Sequence, residues 1–492
     1  MSETPLPADP AQLRTLVVEL SAVIQAKDAQ IRQLEAQVAT LTARVEELER
    51  GRRKDSRTSS KPPSSDPIFT KQPKRTDRSL RERGQRRAGK QPGAPGATMR
   101  LVEEPAARVE CWPGVCAGCG ADLTGVPVGA AQRRQVTEPG PPPPPVTTEY
   151  VVGAKVCPAC GTTSVGAAPA HASGRAQYGP EAHAQAANLT CANFLPVGRA
   201  GRLLGQITGL AVSEGWVAGV RGKAAGLLED FVAHVRALLR DAPALHVDET
   251  PARTAGGLAY VHVACTRYLT LLHVGDRSAE AIDAGGVLPG YDGIIVRDGY
   301  GGYAHLTEAL HAWCGAHLLR DLRDVYEFEP GAQRWAHAMA ELLVEARDAA
   351  EAARAAGQTA LAPAVLADLV GRYRALAAQG LEVNQHRPGR TAADAVRLAR
   401  RFQTFEDMIL RFVTHPGVVA FTNNTAEAAI RGVKVQMRSS GGCWRTLQGL
   451  AEFAVVHSYL STAAKWGIHS LDALRRLFTS GPWLPPALAP PG

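Results

Sequence analysis

After Pro243 the chain stops reading as helix and becomes a succession of short β-branched runs in a restrictive order. "ALHVD", "LAYVHVACT" and "YLTLLHV" follow one another, then "SAEAIDAGGVL" reads as helix, then "GIIVRD" as a fourth strand. Short apolar runs rich in Val, Ile and Tyr, bounded by Gly, Pro and Asp, are strand signals. The first and the fourth run both end in aspartate, at Asp248 and Asp298. One aspartate at a strand end is ordinarily a turn former. Two of them, 50 residues apart in this strand order, point instead to a shared site.

Three strands, a helix and a fourth strand match the order of a ribonuclease H-like core, in which the first and fourth strands are neighbours. Asp248 and Asp298 are then expected at adjacent strand ends. A third acid, Glu427, lies in "NNTAEAAIRGVK", where Asn423 or Asn424 is placed to cap a helix starting near Thr425. Glu427 falls in its first turn, with Arg431 one turn and Lys434 two turns further along the same face. A first-turn acid has a plain role against the helix dipole. The basic residues on its face, suited to a DNA backbone, favour a functional one. A hard dication such as Mg²⁺ (or Mn²⁺) takes a few carboxylate oxygens and leaves its other positions to water and phosphate. Paired ions about 4 Å apart clamp the attacking and leaving oxygens of a phosphodiester. Asp248, Asp298 and Glu427 therefore suggest metal-dependent phosphoryl transfer on DNA.

Between the acids, "LHAWCGAHLLRDL" sets Cys314 and His317 three residues apart on a helix or a strand–helix junction. Two soft ligands do not complete a metal site. The other reading packs Cys314 and sets His317 and Arg320 near the phosphates. From about 327 to 412 the text is Ala-, Arg- and Leu-rich helix, an insertion into a catalytic domain that spans 241–480.

The first 240 residues divide by composition. Residues 1–50 carry a heptad seam, with Val17, Ile24, Ile31, Val38 and Val45 at one core position and mostly Leu at the other. That combination favours a parallel two-stranded coiled coil, hence a homodimer or higher oligomer, with Lys27 as the one charged intrusion. An amphipathic helix packed on its own protein is the alternative. Residues 51–105 have almost no large apolar side chains and read as a flexible basic linker. Arg50 to Arg100 alone holds 16 Lys/Arg against 4 Asp/Glu, more than the whole chain's net charge of +8. Such a stretch suits sequence-independent contact with DNA phosphates or serves as a solubilising spacer.

Residues 106–165 contain Cys116 and Cys119 in "CAGCG" and Cys157 and Cys160 in "CPACG". Four thiolates at this spacing suit a structural, tetrahedral Zn²⁺, with Cys111 as a competing ligand; four protein ligands leave no open position for catalysis. Residues 166–240 read as helical. "VGRAGRLLGQITGLAVSEGWVAGVRGKAAGLL" resembles a helix-turn-helix with Ser213 capping its second helix, which would turn Arg199, Arg202, Arg221 and Lys223 toward DNA. An ordinary helical hairpin with solvated arginines fits equally. Residues 481–492 form a Pro-rich tail.

The composition narrows the class. At 492 residues the chain exceeds a single core. No apolar run approaches the roughly 20 residues of a membrane span, and no basic segment leads into an apolar signal core. The expectation is a cytoplasmic, nucleoid-associated protein. Nine cysteines in a chain this long imply metal ligands rather than a disulfide framework.

"HVDETP", "RDGYGGY", "WCGAHLLRDL" and "NNTAEAAIRG" resemble the catalytic motifs of the insertion sequence 66 family of bacterial transposases. The N-terminal seam, "SSKPPSSD" and the double CxxC occur in that family in the same order, so the resemblance covers nearly the whole chain. It implies a multidomain α/β protein in which Asp248, Asp298 and Glu427 form a DDE triad on two Mg²⁺ ions, with a helical insertion before the Glu. It implies cleavage and strand transfer at terminal inverted repeats, with element ends and target DNA as partners and accessory proteins of the element as further ones. The chain departs from the family at "QMRSSGGCW", where many relatives have an Arg-Lys-Asn segment, and in a proline-stretched zinc region. Two alternatives stand beside it: a ribonuclease H-like nuclease that cleaves without joining, and a non-catalytic zinc-containing DNA-binding regulator.

Overall fold

A computed structural model describes residues 9, 21, 23–38, 99–169 and 171–487. Most of the basic linker, the outer parts of the heptad seam and the end of the tail lie outside them. The chain forms two compact units, one of Pro67–Pro144 and one of Met1–Asp66 with Pro145–Gly492. The expected zinc-binding region, 106–165, is divided between the two.

In the smaller unit, residues 99–144 are irregular and mostly exposed. Gln135 ties them back, accepting from the Val102 amide at 2.7 Å and donating to the Val102 carbonyl at 2.6 Å. A bridge between Val115 and Asp122 closes the turn that carries Cys116 and Cys119.

In the larger unit, residues 23–38 are helical (α1). Their apolar seam residues Ile24, Ile31, Leu34 and Val38 are each more than half exposed. A two-stranded antiparallel hairpin follows, β1 (Ala154–Val156) with β2 (Thr163–Val165). Four helices come next: α2 (Pro180–Ala187), α3 (Val197–Thr208), α4 (Glu214–Gly226) and α5 (Glu229–Arg240). Gly209 ends α3 in the left-handed conformation that a glycine adopts without Cβ strain. Ser213 caps α4 as expected, its hydroxyl accepting from the Trp216 amide.

The strands after Pro243 are β3 (Ala244–Thr254), β4 (Gly257–Cys265), β5 (Thr270–Gly275) and, beyond the short helix α6 (Ala279–Asp283), β6 (Ile294–Arg297). A further strand, β7 (Leu310–Trp313), precedes helix α7 (Gly315–Phe328). They make one mixed sheet in the order β5-β4-β3-β6-β7. The first three pair antiparallel, whereas β6 runs parallel to β3 and β7 parallel to β6. The first and fourth runs are therefore neighbours.

The sheet is covered on both faces, as the unbroken buried apolar run Ile294, Ile295 and Val296 of β6 requires. Ile295 joins a core with Phe231 of α5, Val433 of α13 (Asn424–Ser439), Phe453 of α14 (Leu447–Lys465) and Leu474 of α15 (Ser470–Ser480). Its neighbours Ile294 and Val296 join a second core made largely by the insertion. The insertion comprises α8 (Arg334–Ala355), α9 (Pro363–Asn384), α10 (Arg390–Thr404), α11 (Glu406–Ile409) and α12 (Arg411–Thr414). Trp335, Tyr373 and Phe402 are fully buried there, each stabilising by roughly 1.5–3 kcal/mol.

The chain returning from the insertion meets the start of α7. The Gly315 amide at the start of α7 donates to the Phe421 carbonyl at 2.8 Å, just before α13. A Cβ on residue 315 would lie 2.2 Å from the Phe421 ring, so glycine is what lets the returning chain come this close.

Candidate active site

The β3–β6 register sets the aspartates level. His246 pairs with Val296, and Asp248 and Asp298 each stand two residues further on. Neighbouring strands are about 4.8 Å apart, so the two carboxylates start from adjacent points of the sheet. Asp298 leaves β6 in a tight turn, its side chain accepting from the Tyr300 amide at 2.9 Å. Arg297, buried just before it, holds that turn by donating to the carbonyls of Asp298 (2.9 Å) and Tyr300 (2.8 Å) and to His311 Nδ1 (2.8 Å).

Glu427 arrives on α13, which packs against β3 and β4. Its Oε1 lies 4.0 Å from His317 Nδ1 and 3.9 Å from Arg320 on α7. Burial, then the charge of Glu249, then those of Asp298 and Glu427, push the Asp248 carboxyl up to about 8. Asp248 thus senses both other acids. Burial and the Arg320 guanidinium hold His317 below the usual imidazole range, against the pull of Asp298 and Glu427.

The cap of α13 differs from the expectation. The helix starts at Asn424 with Asn423 in the cap position, but the Asn423 side chain caps nothing. It turns inward instead, donating to the Val247 carbonyl at 2.8 Å and meeting His246 Nδ1 at 3.0 Å, while its amide donates to Cys314 Sγ at 3.2 Å. The residue is buried, and β3 offers a carbonyl beside Asp248 that the side chain satisfies. Asn423 therefore ties the helix of Glu427 directly to the strand of Asp248. Capping rules, which consider only the local helix, do not reveal such a tie.

Arg431 and Arg438 are exposed and Lys434 half-buried along the Glu427 face of α13. None of the three has an ion pair among the described residues. Arg438 extends the stripe by a turn that the sequence reading missed. The residues of the helical hairpin are placed differently: Arg221 pairs with Glu452 at 3.4 Å beside the Trp444 ring, and Lys223 lies 3.4 Å from His183. Arg199 donates to the Ser439 carbonyl at the end of α13 at 2.8 Å, and Arg202 is exposed.

Glu249 was also missed. Next to Asp248 on β3 but on the opposite side of the pleat, it is almost wholly buried against Arg277 (2.6 Å) and the Tyr303 hydroxyl (2.9 Å). Arg277 in turn stacks on Tyr300. A charged residue directly after Asp248, and an arginine inside "GIIVRD", were the available signals.

The CxxC pairs adopt one local conformation. In each, the amide of the first cysteine donates five residues on, Cys116 to the Ala121 carbonyl and Cys157 to that of Thr162, while Gly120 and Gly161 donate back. Both glycines are left-handed, at φ +76° and +71°. Backbone amides of Cys119 and Gly118 pull the Cys116 thiol below its ordinary value, and Thr162 does so for Cys160. No helix among the described residues is long and apolar enough to cross a membrane.

A mixed sheet that brings two strand-end aspartates level, with a helix-borne glutamate acting on the buried Asp248, defines a carboxylate-centred candidate site. The model of the family described as Transposase IS66 family matches residues 175–451, more than half of the chain, and the protein belongs to that family. A second model, described as a family of unknown function (DUF6444), matches residues 3–100. A search of curated proteins found no match.

Proposed function

We propose that the protein is an active transposase of a bacterial insertion sequence, with a ribonuclease H-like core and Asp248, Asp298 and Glu427 as its catalytic carboxylates. The observation that carries this reading is the parallel β3–β6 register with the two aspartates at the same level. The donors fit a hard dication: all are carboxylate oxygens, Asp248 is forced upward by burial and then by its acidic neighbours, and a buried Glu427 oxygen has no hydrogen-bond partner. Bound there, Mg²⁺ or Mn²⁺ would supply activation of the attacking oxygen and charge stabilisation in an in-line displacement.

The chain's own residues do the rest. Arg297 fixes the turn that presents Asp298, and Asn423 fixes the start of the helix that presents Glu427. Arg320, Arg431 and Lys434 line the approach to Glu427 and hold DNA phosphates by charge. Arg199 reaches the end of α13 and extends this surface, with the exposed Arg202 three residues further along α3, while Arg221 and Lys223 reach DNA only by giving up their present partners. Each cysteine knuckle is poised as a pair of thiolate ligands for structural Zn²⁺. The exposed seam of α1 supports self-association through a coiled coil, leaving the basic linker to contact DNA.

The test is a reaction of labelled element-end DNA with Mg²⁺ or Mn²⁺ and wild type, Asp298→Asn or Glu427→Gln. Wild type is expected to cleave and join, and both variants to bind the same DNA without reaction. Equal cleavage by all three rejects the assignment, whereas cleavage without joining favours a nuclease.

A further inference from the structure

We propose that Cys314, His317 and Glu427 form a second metal site, for a borderline dication such as Zn²⁺, which draws Glu427 away from the catalytic cluster. One donor atom from each of the three lies within 4.8 Å of the other two. The pattern Cys-x-x-His opens α7, with Cys314 at the cap and His317 in the first turn, so both side chains face the same way. α13 supplies the third donor that local sequence does not show.

The unsatisfied atoms point to a ligand. His317 Nδ1 and Glu427 Oε1 are both shut off from solvent, and neither has a hydrogen-bond partner. At 4.0 Å they are too far apart to bond each other, and a buried polar atom without a partner is destabilising. A cation between them would satisfy both. The Asn423 amide directed at Cys314 Sγ at 3.2 Å is the kind of outer contact that supports a metal-bound thiolate.

Thiolate, imidazole and carboxylate suit Zn²⁺ and are a poor set for Mg²⁺. Binding exchanges the thiol proton for the metal, the proton leaving to solvent, and keeps one position open for water. The catalytic half rests on the proposed function. A Glu427 oxygen held by zinc is withdrawn from Asp248 and Asp298, so zinc acts as a brake that competes with the catalytic dication for this carboxylate.

The site is tested on the intact, chelator-stripped protein by Co²⁺ titration, reading metal per chain and the thiolate-to-cobalt absorption. Wild type is expected to bind one Co²⁺ more than Cys314→Ser and His317→Ala, whose folding is checked by circular dichroism. Identical stoichiometry and spectra in wild type and in any variant that remains folded overturn the site. Cleavage is then followed in Mn²⁺ with added Zn²⁺, each protein normalised to its own zinc-free rate. The Cys314→Ser variant should need at least about tenfold more zinc for half inhibition. Equal zinc sensitivity despite a missing cobalt overturns the shared carboxylate. If no protein cleaves, the transposase reading fails, while the cobalt count still decides the site.

Discussion

Replacing Asp248 by Asn should stabilise the metal-free protein while abolishing its reaction. In wild type, burial and the neighbouring Glu249, Asp298 and Glu427 raise this carboxyl from its ordinary 3.8 to about 8. The folded chain therefore keeps a proton that the unfolded chain has already released. Protons bound in excess by the folded state mean that stability falls as pH rises through this window, then levels off above about 8. The slope is about 1.4 kcal/mol per pH unit, so the loss between about pH 5 and 7 is ~2–3 kcal/mol. The Asp248→Asn variant has no such proton to lose. In EDTA its melting temperature should exceed that of wild type by several degrees at pH 7, the gap shrinking toward pH 5. Mg²⁺ should also narrow the gap, because it stabilises the charged wild-type cluster by binding it. Parallel melting curves across this pH range, or a gap that widens toward pH 5, would refute the reasoning.

Asn423→Ala removes two buried hydrogen bonds between α13 and β3 and should cost about 2–3 kcal/mol. It should slow cleavage roughly 10–100-fold by misplacing Glu427, with DNA affinity in gel shifts unchanged. Gly315→Ala drives a methyl into the Phe421 ring and should lower stability by ~1–3 kcal/mol. In urea denaturation, Phe421→Leu should recover part of that loss in the double variant and none alone. Arg431→Ala and Lys434→Ala should each weaken DNA binding for every sequence and reduce the logarithmic salt slope by about 1. Cys116→Ser and Cys157→Ser should each lower zinc content measured by mass spectrometry; unchanged zinc in both rejects the knuckles as ligands.

The two aspartates were legible because β-branched runs announce strands and strand order constrains neighbours. Glu427 was legible as the start of a helix, but its approach to Asp248 depends on Phe421 and Asn423 meeting Gly315, Cys314 and Val247 across a hundred residues of chain. No local pattern encodes those contacts. The strand β7 was absorbed into a strand–helix junction because "LHAW" is too short to show a period. Arg221 looked free for DNA, since nothing in its own segment reveals that Glu452 and Trp444 are its neighbours. Glu249 was overlooked for a related reason: alternation turns it away from Asp248, toward an Arg277 supplied by the other end of the sheet.

The alternation of Ile294, Ile295 and Val296 has a consequence for ancestry. The inserted helices are the other half of what keeps β6 dry, so cutting them out would uncover Val296 and Trp313. The insertion and the strands that carry Asp248 and Asp298 are therefore expected to be inherited together. A domain shuffled in from another lineage would have to match one sheet face residue by residue, and change is expected first on the solvent-facing turns of the inserted helices.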